Sequence, residues 1–323
     1  LFGFSKLLRL LKKKKIDLII VRETQLGLHS VLLGFLFNIP IILDTREPMP
    51  IYFSYKFKSF FLKNFKFYYL YLFYERAILK HFDGYFFSSI ELKNWYVKKY
   101  NLINIKNEII YNIPDKYFID YSKQIIKKKY KKKYDLVFAG YYDSNRGLED
   151  IILALKILKT EKFNIKFKII TDKKGIFILK KIVNQNNLKN QITITKLLSP
   201  KKLIKELSKS KIGVCNYDIN DHTNLTIPGK IFEYMLLQLP IISSSRKTVV
   251  KIIKKHKSGL VFKKNNKKNI ADTILSLLKN KKKYSYLSKN SLYAMNKEYS
   301  YLNQKQKFKK LIIKVLNEKK NNY

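Results

Sequence analysis

A lysine and a glutamate stand where a loop of this sequence passes into a helix. The stretch is NLTIPGKIFEYMLLQLPIISSS, residues 224–245. Lys230 and Glu233 are three residues apart and therefore share one helical face, and Pro228 suits the first helical turn. Free N–H groups at a helix start attract anions. This spacing predicts an anion site, and the Glu233 carboxylate beside it could accept two hydrogen bonds from a diol such as that of a ribose. The alternative is an exposed carboxylate that only pairs with Lys230.

A second candidate site is the turn AGYYDSNRG, residues 139–147, which joins a predicted strand to a predicted helix. Gly140 would let a ligand approach the backbone closely. Arg146 precedes the helix start, where a guanidinium can contact two phosphate oxygens at once. Glycine and arginine together are common in such turns, so this turn alone is a weak signal.

Charged residues also follow two predicted strands of the first half of the chain. Arg22 and Glu23 follow one strand, and the run from Asp44 to Glu47 follows the next. In parallel sheets the carboxyl ends of the strands border the ligand crevice. Ligand binding and a plain surface loop are both open interpretations here.

Several frameworks of catalysis are absent from the sequence. It contains no HExxH, CxxC, DxD or GxSxG pattern and no glycine loop followed by GKS or GKT. We therefore expect no metal site, no serine nucleophile and no P-loop. The single cysteine, Cys215, lies in an apparent buried strand and is expected to be a packing residue in a reducing compartment.

The elements that must position these residues alternate between strand and helix, which predicts two αβα domains with parallel sheets. Ser89 is the predicted N-cap of one helix, and the charged run 123–133 is the predicted linker. The predicted strands are 17–21, 40–44, 84–87, 108–111, 135–139, 165–171, 191–195, 211–216, 241–242 and 259–262. The predicted helices are 25–37, 90–100, 147–158, 177–186, 200–209, one after Pro228, 249–256, and those that end the chain.

Charge and aromatic content leave the partner open. The net charge is +44, from 67 Lys and Arg against 23 Asp and Glu. Such an excess attracts nucleic acid or an anionic membrane, but a compositional bias toward Lys, Asn and Ile explains it equally well. The aromatic, basic segment 51–80 is interpreted first as a helix buried on one side, and second as an interfacial face. No run of 18 apolar residues occurs.

Together these motifs resemble the group 1 glycosyltransferases. The family's P-x-K-x-x-E-Y-M and a-x-G-x-P-V-V-x-S patterns are matched here at Pro228, Lys230, Glu233, Tyr234, Met235, Pro240 and Ser243. AGYYDSNRG resembles the family's glycine turn, with Tyr141 in an arginine position and Arg146 in a lysine position. PIILDTREPMP and EIIYNIPD resemble motifs of its first domain. Leu225 stands where the fuller pattern has a glutamate, and Arg46 stands at the family's histidine.

The resemblance implies an α/β protein of GT-B fold, with two Rossmann-like domains that face a cleft. The expected divisions are an acceptor-side domain over 1–122, truncated at its start, a linker over 123–133, and a nucleotide-sugar domain over 134–298. Residues 299–323 are expected to form a C-terminal helix that packs back on the first domain.

The resemblance also implies a retaining transfer of a hexose-type sugar, with no cofactor and no metal, from a UDP- or GDP-sugar. Its expected acceptor is a glycan or a lipid-linked glycan of cell-surface polysaccharide or lipopolysaccharide synthesis. The expected location is the cytoplasm or the inner face of the cytoplasmic membrane, where residues 57–74 would rest on anionic lipid. No specific nucleic acid partner is expected.

The implied roles divide between catalysis and donor binding. Leaving-group charge would be stabilised by Arg146 and Lys230, with Glu233 on the ribose. The implied donor-binding residues are Gly140, Tyr141, Gly147, Asn224, Leu225, Thr226 and Pro228, with Arg46 and Glu47 from the first domain. The alternative is a GT-B protein without catalysis that acts as a basic nucleic-acid-binding or membrane-binding module.

Overall fold

The protein is described by a computed structural model over residues 8–9, 11–56, 63–263 and 266–321. Two compact units divide the chain. The first comprises Leu1–Tyr111, Asn224–Thr226 and Leu302–Tyr323, and the second comprises Asn112–Thr223 and Ile227–Tyr301. Within the described ranges, no helix is long and apolar enough to cross a membrane.

The first unit is built on a four-stranded parallel sheet. Its strands lie side by side in the order β1-β2-β3-β4. Because they are parallel, each connecting segment returns to the end of the sheet at which the strands begin. Arg22 pairs with Asp44, and Thr45 pairs with Phe87, which aligns the carboxyl ends of the first three strands. The strands are β1 (Ile19–Arg22), β2 (Ile41–Thr45), β3 (Gly84–Phe87) and β4 (Asn107–Ile109).

Four helices connect or follow these strands. They are α1 (Gly27–Leu36), α2 (Met49–Lys56), α3 (Lys63–Leu79) and α4 (Ile90–Tyr100). Ser89 is the N-cap of α4, as the sequence predicts, because its Oγ accepts a hydrogen bond from the backbone N–H of Leu92 at 2.9 Å. Apolar side chains from β2, β3, α3 and α4 form one continuous core. Residues 57–62 of the aromatic segment lie outside the described residues.

Helix α5 (Lys116–Lys127) occupies a part of the chain where we expected a domain end and a linker. Asp115 caps it, and Phe118, Ile119 and Ile125 are buried. The helix packs against α8 (Pro200–Ser208) of the second unit. The amphipathic period of residues 116–127 therefore outweighs the lysine run, and the compact units divide after Tyr111 rather than after residue 122.

The second unit is built on a six-stranded parallel sheet in the order β10-β9-β8-β5-β6-β7. The pairings of Val137 with Gly213 and of Cys215 with Ser243 bring the carboxyl ends of β5, β8 and β9 to one edge. The strands are β5 (Tyr134–Ala139), β6 (Phe167–Thr171), β7 (Ile192–Lys196), β8 (Ser210–Cys215), β9 (Ile241–Ser244) and β10 (Gly259–Phe262).

One core of this unit comprises 24 buried apolar residues. Further helices connect or follow its strands. They are α6 (Leu148–Thr160), α7 (Lys173–Gln185), α9 (Asp221–Leu225), α10 (Lys230–Leu236), α11 (Lys247–His256), α12 (Lys267–Leu278) and α13 (Lys281–Lys297). The last two residues of α9 belong to the first unit.

The last helix, α14 (Tyr301–Asn321), returns to the first unit. Leu311 and Val315 are buried against Ile42 and Phe86 on one face of the first sheet. The Phe86 and Phe308 rings stack with their centroids 4.7 Å apart. The carboxamide Oε1 of Gln304 also accepts a hydrogen bond from the backbone N–H of Tyr111 at 2.9 Å. This helix thus supplies part of the first unit's core from the opposite end of the chain.

Candidate functional site

The turn after β5 has a backbone that two glycines make possible. Gly140 has φ 143° and Gly147 has φ 51°, and residues other than glycine rarely adopt either value. A Cβ on Gly147 would lie 2.4 Å from Nδ2 of Asn216, which donates a hydrogen bond to the Gly147 carbonyl at 2.7 Å. Asn216 follows β8, so this side chain ties the turn to the neighbouring strand.

Two cations converge on the open side of Gly140. A Cβ at this position would lie 2.8 Å from a terminal nitrogen of Arg146 and 3.1 Å from Nζ of Lys230. The absence of a side chain at Gly140 therefore lets both cations approach its backbone closely. Two like charges beside the same residue repel each other, and a bound anion would offset that cost.

Lys230 is a buried ammonium without a hydrogen-bond acceptor among the residues that the structure describes. It stands at the first residue of α10, and its Nζ lies 3.7 Å from the centroid of the Phe138 ring. Burial, and after it the nearby Arg146 charge, lower the pKa of Lys230 to about 7, while Glu233 opposes the shift. An unpaired buried donor is costly, which makes this nitrogen a site that a ligand would satisfy.

A third cation completes a cluster around one tyrosine ring. The Tyr217 centroid lies 5.4 Å from the Arg146 guanidinium carbon, 5.4 Å from Lys230 Nζ and 4.9 Å from the Arg246 guanidinium carbon. Arg246 is almost fully buried, and its Nε donates to the Thr223 carbonyl at 2.6 Å. We call Arg146, Lys230 and Arg246 the cation cluster. The three residues come from three parts of the chain: Arg146 follows β5, Lys230 follows β8 and Arg246 follows β9.

Glu233 lies one turn after Lys230 on α10 and is partly buried. Burial raises its pKa above the ordinary value, and the Lys230 charge opposes that rise. Tyr234 anchors the same helix, because its hydroxyl accepts a hydrogen bond from the Ala139 N–H at 3.3 Å and its ring covers Gly213. The helix that carries the two predicted residues is therefore fixed to the end of β5.

The sequence pattern that describes the glycosyl transferases group 1 family matches residues 122–292, which is more than half of the chain and contains the whole cation cluster. The chain belongs to the glycosyl transferases group 1 family. No curated protein sequence matches it significantly. The enzyme is accordingly a glycosyltransferase, and the family resemblance carried by the motifs around Pro228 and Gly140 is confirmed.

Solved structures of other proteins share its fold. Sucrose-phosphate synthase from Thermosynechococcus elongatus aligns with a TM-score of 0.76 and 14% identity, over 98% of this chain and 78% of that one. A glycosyltransferase from Rickettsia africae aligns at 0.73 and 16%, over 97% and 81%. Anabaena HepE, solved with UDP, aligns at 0.71 and 10%, over 96% and 82%. The predicted GT-B fold with two Rossmann-like domains is thus confirmed.

The structure gathers some of the predicted site residues in the second unit of this glycosyltransferase and places others elsewhere. Gly140, Arg146, Gly147, Lys230 and Glu233 lie together around the turn after β5. Pro228 lies two residues before α10, and Tyr141 is 65% exposed.

The residues Asn224, Leu225 and Thr226 belong to the first unit. The Leu225 side chain packs on that unit's apolar core, and its carbonyl oxygen accepts a hydrogen bond from Ser89 Oγ at 2.5 Å. Leu225, one of the residues that the resemblance assigns to donor binding, therefore has packing and hydrogen-bond partners within the first unit.

Arg46 and Glu47 also lie in the first unit, and Arg46 already has partners there. Its Nε lies 2.7 Å from Oδ1 of Asp44, and its two terminal nitrogens donate to Asp44 Oδ2 at 3.1 Å and to the Ile110 carbonyl at 2.9 Å. The Arg46 backbone N–H donates to Glu23 at 3.0 Å. The Arg46 guanidinium, which the resemblance assigns to donor binding, is the centre of a hydrogen-bond network within the first unit.

Sequence reasoning missed Arg246, Tyr217 and Asn216 of the site. Each follows the carboxyl end of a strand of the second sheet, and the rule that ligands bind at these strand ends was the signal available for finding them. Cys215 is fully buried, and burial raises the pKa of its thiol. The part of the chain that the structure describes holds no group of three or more His, Cys, Asp or Glu suited to a metal ion.

Proposed function

We propose that this enzyme transfers a sugar, with retention at the anomeric carbon, from a nucleoside diphosphate sugar to a glycan or lipid-linked acceptor. The observation that carries the proposal is the buried Lys230 ammonium, which has no acceptor among the described residues and lies beside Arg146 and Arg246. A diphosphate carries negative charge, which would balance the positive charge of this cluster. The HepE structures hold UDP and UDP-glucose, which supports a nucleotide-sugar donor.

The cluster suits the chemistry of the leaving group. As the bond between the anomeric carbon and the diphosphate breaks, negative charge grows on the phosphate oxygens. Charges that are already in place stabilise that growth without having to reorganise. Arg146 can contact two oxygens, Lys230 supplies a donor otherwise unsatisfied, and the start of α6 beside Gly147 adds N–H groups. We assign the ribose to Glu233.

A binding experiment with matched variants tests the proposal. Calorimetry with UDP, GDP, ADP and their sugars identifies the base, and we expect Lys230→Met and Arg146→Ala to weaken binding roughly 10- to 150-fold, as loss of a charged hydrogen bond does. Glu233→Ala should weaken nucleoside binding, with a smaller effect on inorganic diphosphate. Lys168→Met is the control, because Lys168 is also buried but lies over Tyr134 at the opposite end of β5.

Two results would overturn the proposal. One is nucleotide affinity that is the same in Lys230→Met and in the control. The other is salt-sensitive RNA binding that ignores both variants, which would favour the basic binding module suggested by the +44 net charge. Retention is tested separately, by the anomeric configuration of the first product in the NMR spectrum.

The acceptor and the place of action complete the proposal. We assign acceptor binding to the first unit, and synthesis of a cell-surface polysaccharide or lipopolysaccharide at the inner face of the cytoplasmic membrane. Incubation of the purified enzyme with its donor and with lipid-linked acceptors in vesicles tests this assignment. Transfer to free sugars with no preference for a lipid-linked acceptor would contradict it.

A further inference from the structure

Helix α13 of the second unit exposes lysines and tyrosines in alternation. Lys282, Tyr286, Lys289, Tyr293 and Lys297 follow one another at steps of three or four residues, which places them on one side of the helix. The three lysines are exposed, and the two tyrosines are 50% and 63% exposed. We call these five residues the α13 stripe.

The opposite side of α13 is packed. Leu287, Ala294 and Met295 are buried there. The helix also contacts α10, and Ser288 Oγ donates a hydrogen bond to the Gln238 carbonyl just after α10 at 2.7 Å. A rotation that hid the tyrosines would expose these packed residues, so the stripe is fixed on the solvent side of the helix.

A groove at the start of α13 extends the positive charge of the stripe. It has a volume of about 680 Å³, and four lysines line it: Lys279, Lys281, Lys282 and Lys283. Asp272 also lines it and has the Lys268 ammonium 3.5 Å away. Lys282 belongs to both the groove and the stripe, so the two form one continuous basic surface.

The charge of this surface is almost entirely of one sign. Helix α13 contains no aspartate or glutamate, and Glu298, which follows it, is paired with Lys255 at 2.5 Å. Exposed lysines are common in a chain with a net charge of +44, so they alone indicate little. The feature that distinguishes α13 is the regular insertion of tyrosines between them.

The tyrosines suit the chemistry of a sugar ring. Each combines an apolar ring face with a polar hydroxyl, and the C–H side of a pyranose can pack on such a face while its hydroxyl groups form hydrogen bonds. The large apolar side chains that α13 exposes are Tyr286 and Tyr293. A surface for acyl chains or for the core of a protein interface would instead expose aliphatic residues.

The spacing of the lysines favours a glycan over a nucleic acid. Lys282, Lys289 and Lys297 are seven and eight residues apart, which is roughly 10 to 12 Å along the helix. Successive phosphates of one strand are only about 3.4 Å apart along a duplex axis. In a glycan whose acidic sugars alternate with neutral ones, the carboxylates are two rings apart, and the tyrosines would lie beneath the rings between them.

We propose that the α13 stripe and its groove bind a linear acidic glycan that carries carboxylates on alternate sugars. The inference rests on the proposed function, because the glycan would be the acceptor or the product of the transfer. It deepens that function by naming the chemical class of the glycan and a surface of the second unit that holds it.

Fluorescence anisotropy of the full chain with a labelled hyaluronan decasaccharide tests the proposal, because glucuronate alternates with a neutral sugar in this probe. We expect it to bind more tightly than a neutral chitin oligosaccharide. Tyr286→Ala with Tyr293→Ala should weaken binding roughly tenfold, since two ring contacts are lost, whereas Tyr286→Phe with Tyr293→Phe should retain most of it. Lys282→Gln with Lys289→Gln should weaken it severalfold and reduce its dependence on salt.

The matched control lies on α7, which contacts β7, whereas α13 contacts β10 at the other edge of the same sheet. Phe177 is 77% exposed, and Lys180 and Lys181 are exposed on the same helix. Phe177→Ala with Lys180→Gln and Lys181→Gln should leave hyaluronan binding unchanged. Equal losses in this control and in the stripe variants would overturn the proposal, because general charge would then explain binding.

Two further outcomes would also overturn it. One is hyaluronan that binds no better than the chitin oligosaccharide. The other is polyuridylate that binds more tightly than hyaluronan and is released by Tyr286→Ala with Tyr293→Ala, which would assign the stripe to nucleic acid.

UDP-sugar calorimetry on the same proteins separates this inference from the proposed function. We expect the stripe variants to keep the donor affinity of the wild type, and Lys230→Met to keep its hyaluronan affinity. Full donor affinity in Lys230→Met would count against the proposed function, while a loss of hyaluronan binding confined to the stripe variants would still support the glycan surface.

Discussion

The burial of Lys230 and its lack of a hydrogen-bond acceptor among the described residues indicate what kind of ligand the site binds. Its ammonium is buried against the Phe138 ring and shares the Tyr217 ring with two arginines. A folded protein gains little from such an arrangement unless an anion completes it. Burial lowers the Lys230 pKa to about 7, so near neutral pH the free enzyme holds a mixture of charged and neutral amine.

This depressed pKa predicts a pH dependence of donor binding. An anionic donor favours the charged amine, so binding above pH 7 must first add a proton to Lys230. The affinity for a UDP-sugar should therefore fall as the pH rises from 7 to 9, by up to about tenfold per unit. UDP-sugars are the proper probe, because their esterified diphosphate does not titrate in this range.

Calorimetry in two buffers of different ionisation enthalpy measures the accompanying proton uptake. We expect close to one proton at pH 8.5 for the wild type and none for Lys230→Met, whose affinity should also be independent of pH. An affinity that rises with pH would contradict the assignment of Lys230 to the diphosphate.

Helix α3 buries a carboxyl group, that of Glu75, while several of its apolar side chains are exposed. Glu75 is fully buried and accepts hydrogen bonds from Thr24 Oγ1 at 2.6 Å, from the Tyr96 hydroxyl at 3.1 Å and from the Tyr100 hydroxyl. Tyr71 adds a further contact to Thr24 at 3.1 Å. The structure describes two helices in the segment expected to be one helix, and α3 is buried on one side. Its inner side is organised by a carboxyl group and tyrosines as well as by aliphatic packing.

The Glu75 network predicts how the stability of the first unit depends on pH. Burial raises the pKa of Glu75 from 4.5 to about 7, against the lowering effect of its hydroxyl donors. The folded form thus binds more protons than the unfolded form between these values, and the free energy of unfolding falls as pH rises from 4.5 through 7. The loss attributable to Glu75 is at most about 3 kcal/mol.

Urea unfolding at pH 5 and pH 7.5 checks this expectation when wild type and Glu75→Gln are compared. Glutamine keeps an acceptor for the hydroxyl groups but does not ionise, so the variant should lose less stability between the two pH values. Glu91→Gln, on a different helix of the same unit, is the control. Identical losses in all three proteins would show that Glu75 does not titrate in this window.

At the scale of the whole molecule, charge is the dominant feature. The net charge of +44 must cost stability, because like charges repel more in the compact state than in the extended chain. Local ion pairs such as Lys211 with Asp135 and Lys209 with Glu206 offset only a small part of it. The protein is therefore expected to be sensitive to ionic strength.

Added salt should stabilise this protein. Raising NaCl from 50 to 500 mM shortens the screening length, and we expect the melting temperature to rise by a few degrees, which corresponds to roughly 1 kcal/mol in units of this size. Differential scanning calorimetry makes the measurement. Lys230→Met should show the same increment, which separates general screening from anion binding at the cation cluster. A melting temperature that falls with salt would indicate that ion pairs outweigh repulsion.

Much of the fold can be predicted from local patterns. The apolar runs predict the strands, with Gly84–Phe87 and Gly259–Phe262 matched at both ends, and Ser89 marks the start of α4. The α-helices α5 and α9 were not predicted, because short-range signals there point elsewhere. The lysines of residues 127–133 hide the amphipathic end of α5, and Asp221–Leu225 is too short for a periodic pattern to appear.

By itself, the sequence determined the local parts of the site: the glycine turn with Arg146, and the helix that carries Lys230 and Glu233. These depend on spacing along a single turn or helix, which the chain specifies directly. Tertiary structure decided which further residues join them. Arg246 and Tyr217 reach the cation cluster because β5, β8 and β9 are neighbours in the sheet, although they are far apart in the chain. The Arg46 guanidinium gains the Ile110 carbonyl as a partner through the same kind of long-range packing, whereas its other partner, Asp44, is only two residues away in the chain. Burial and charge partners are sums over spatial neighbours, and only the packed strands supply those neighbours.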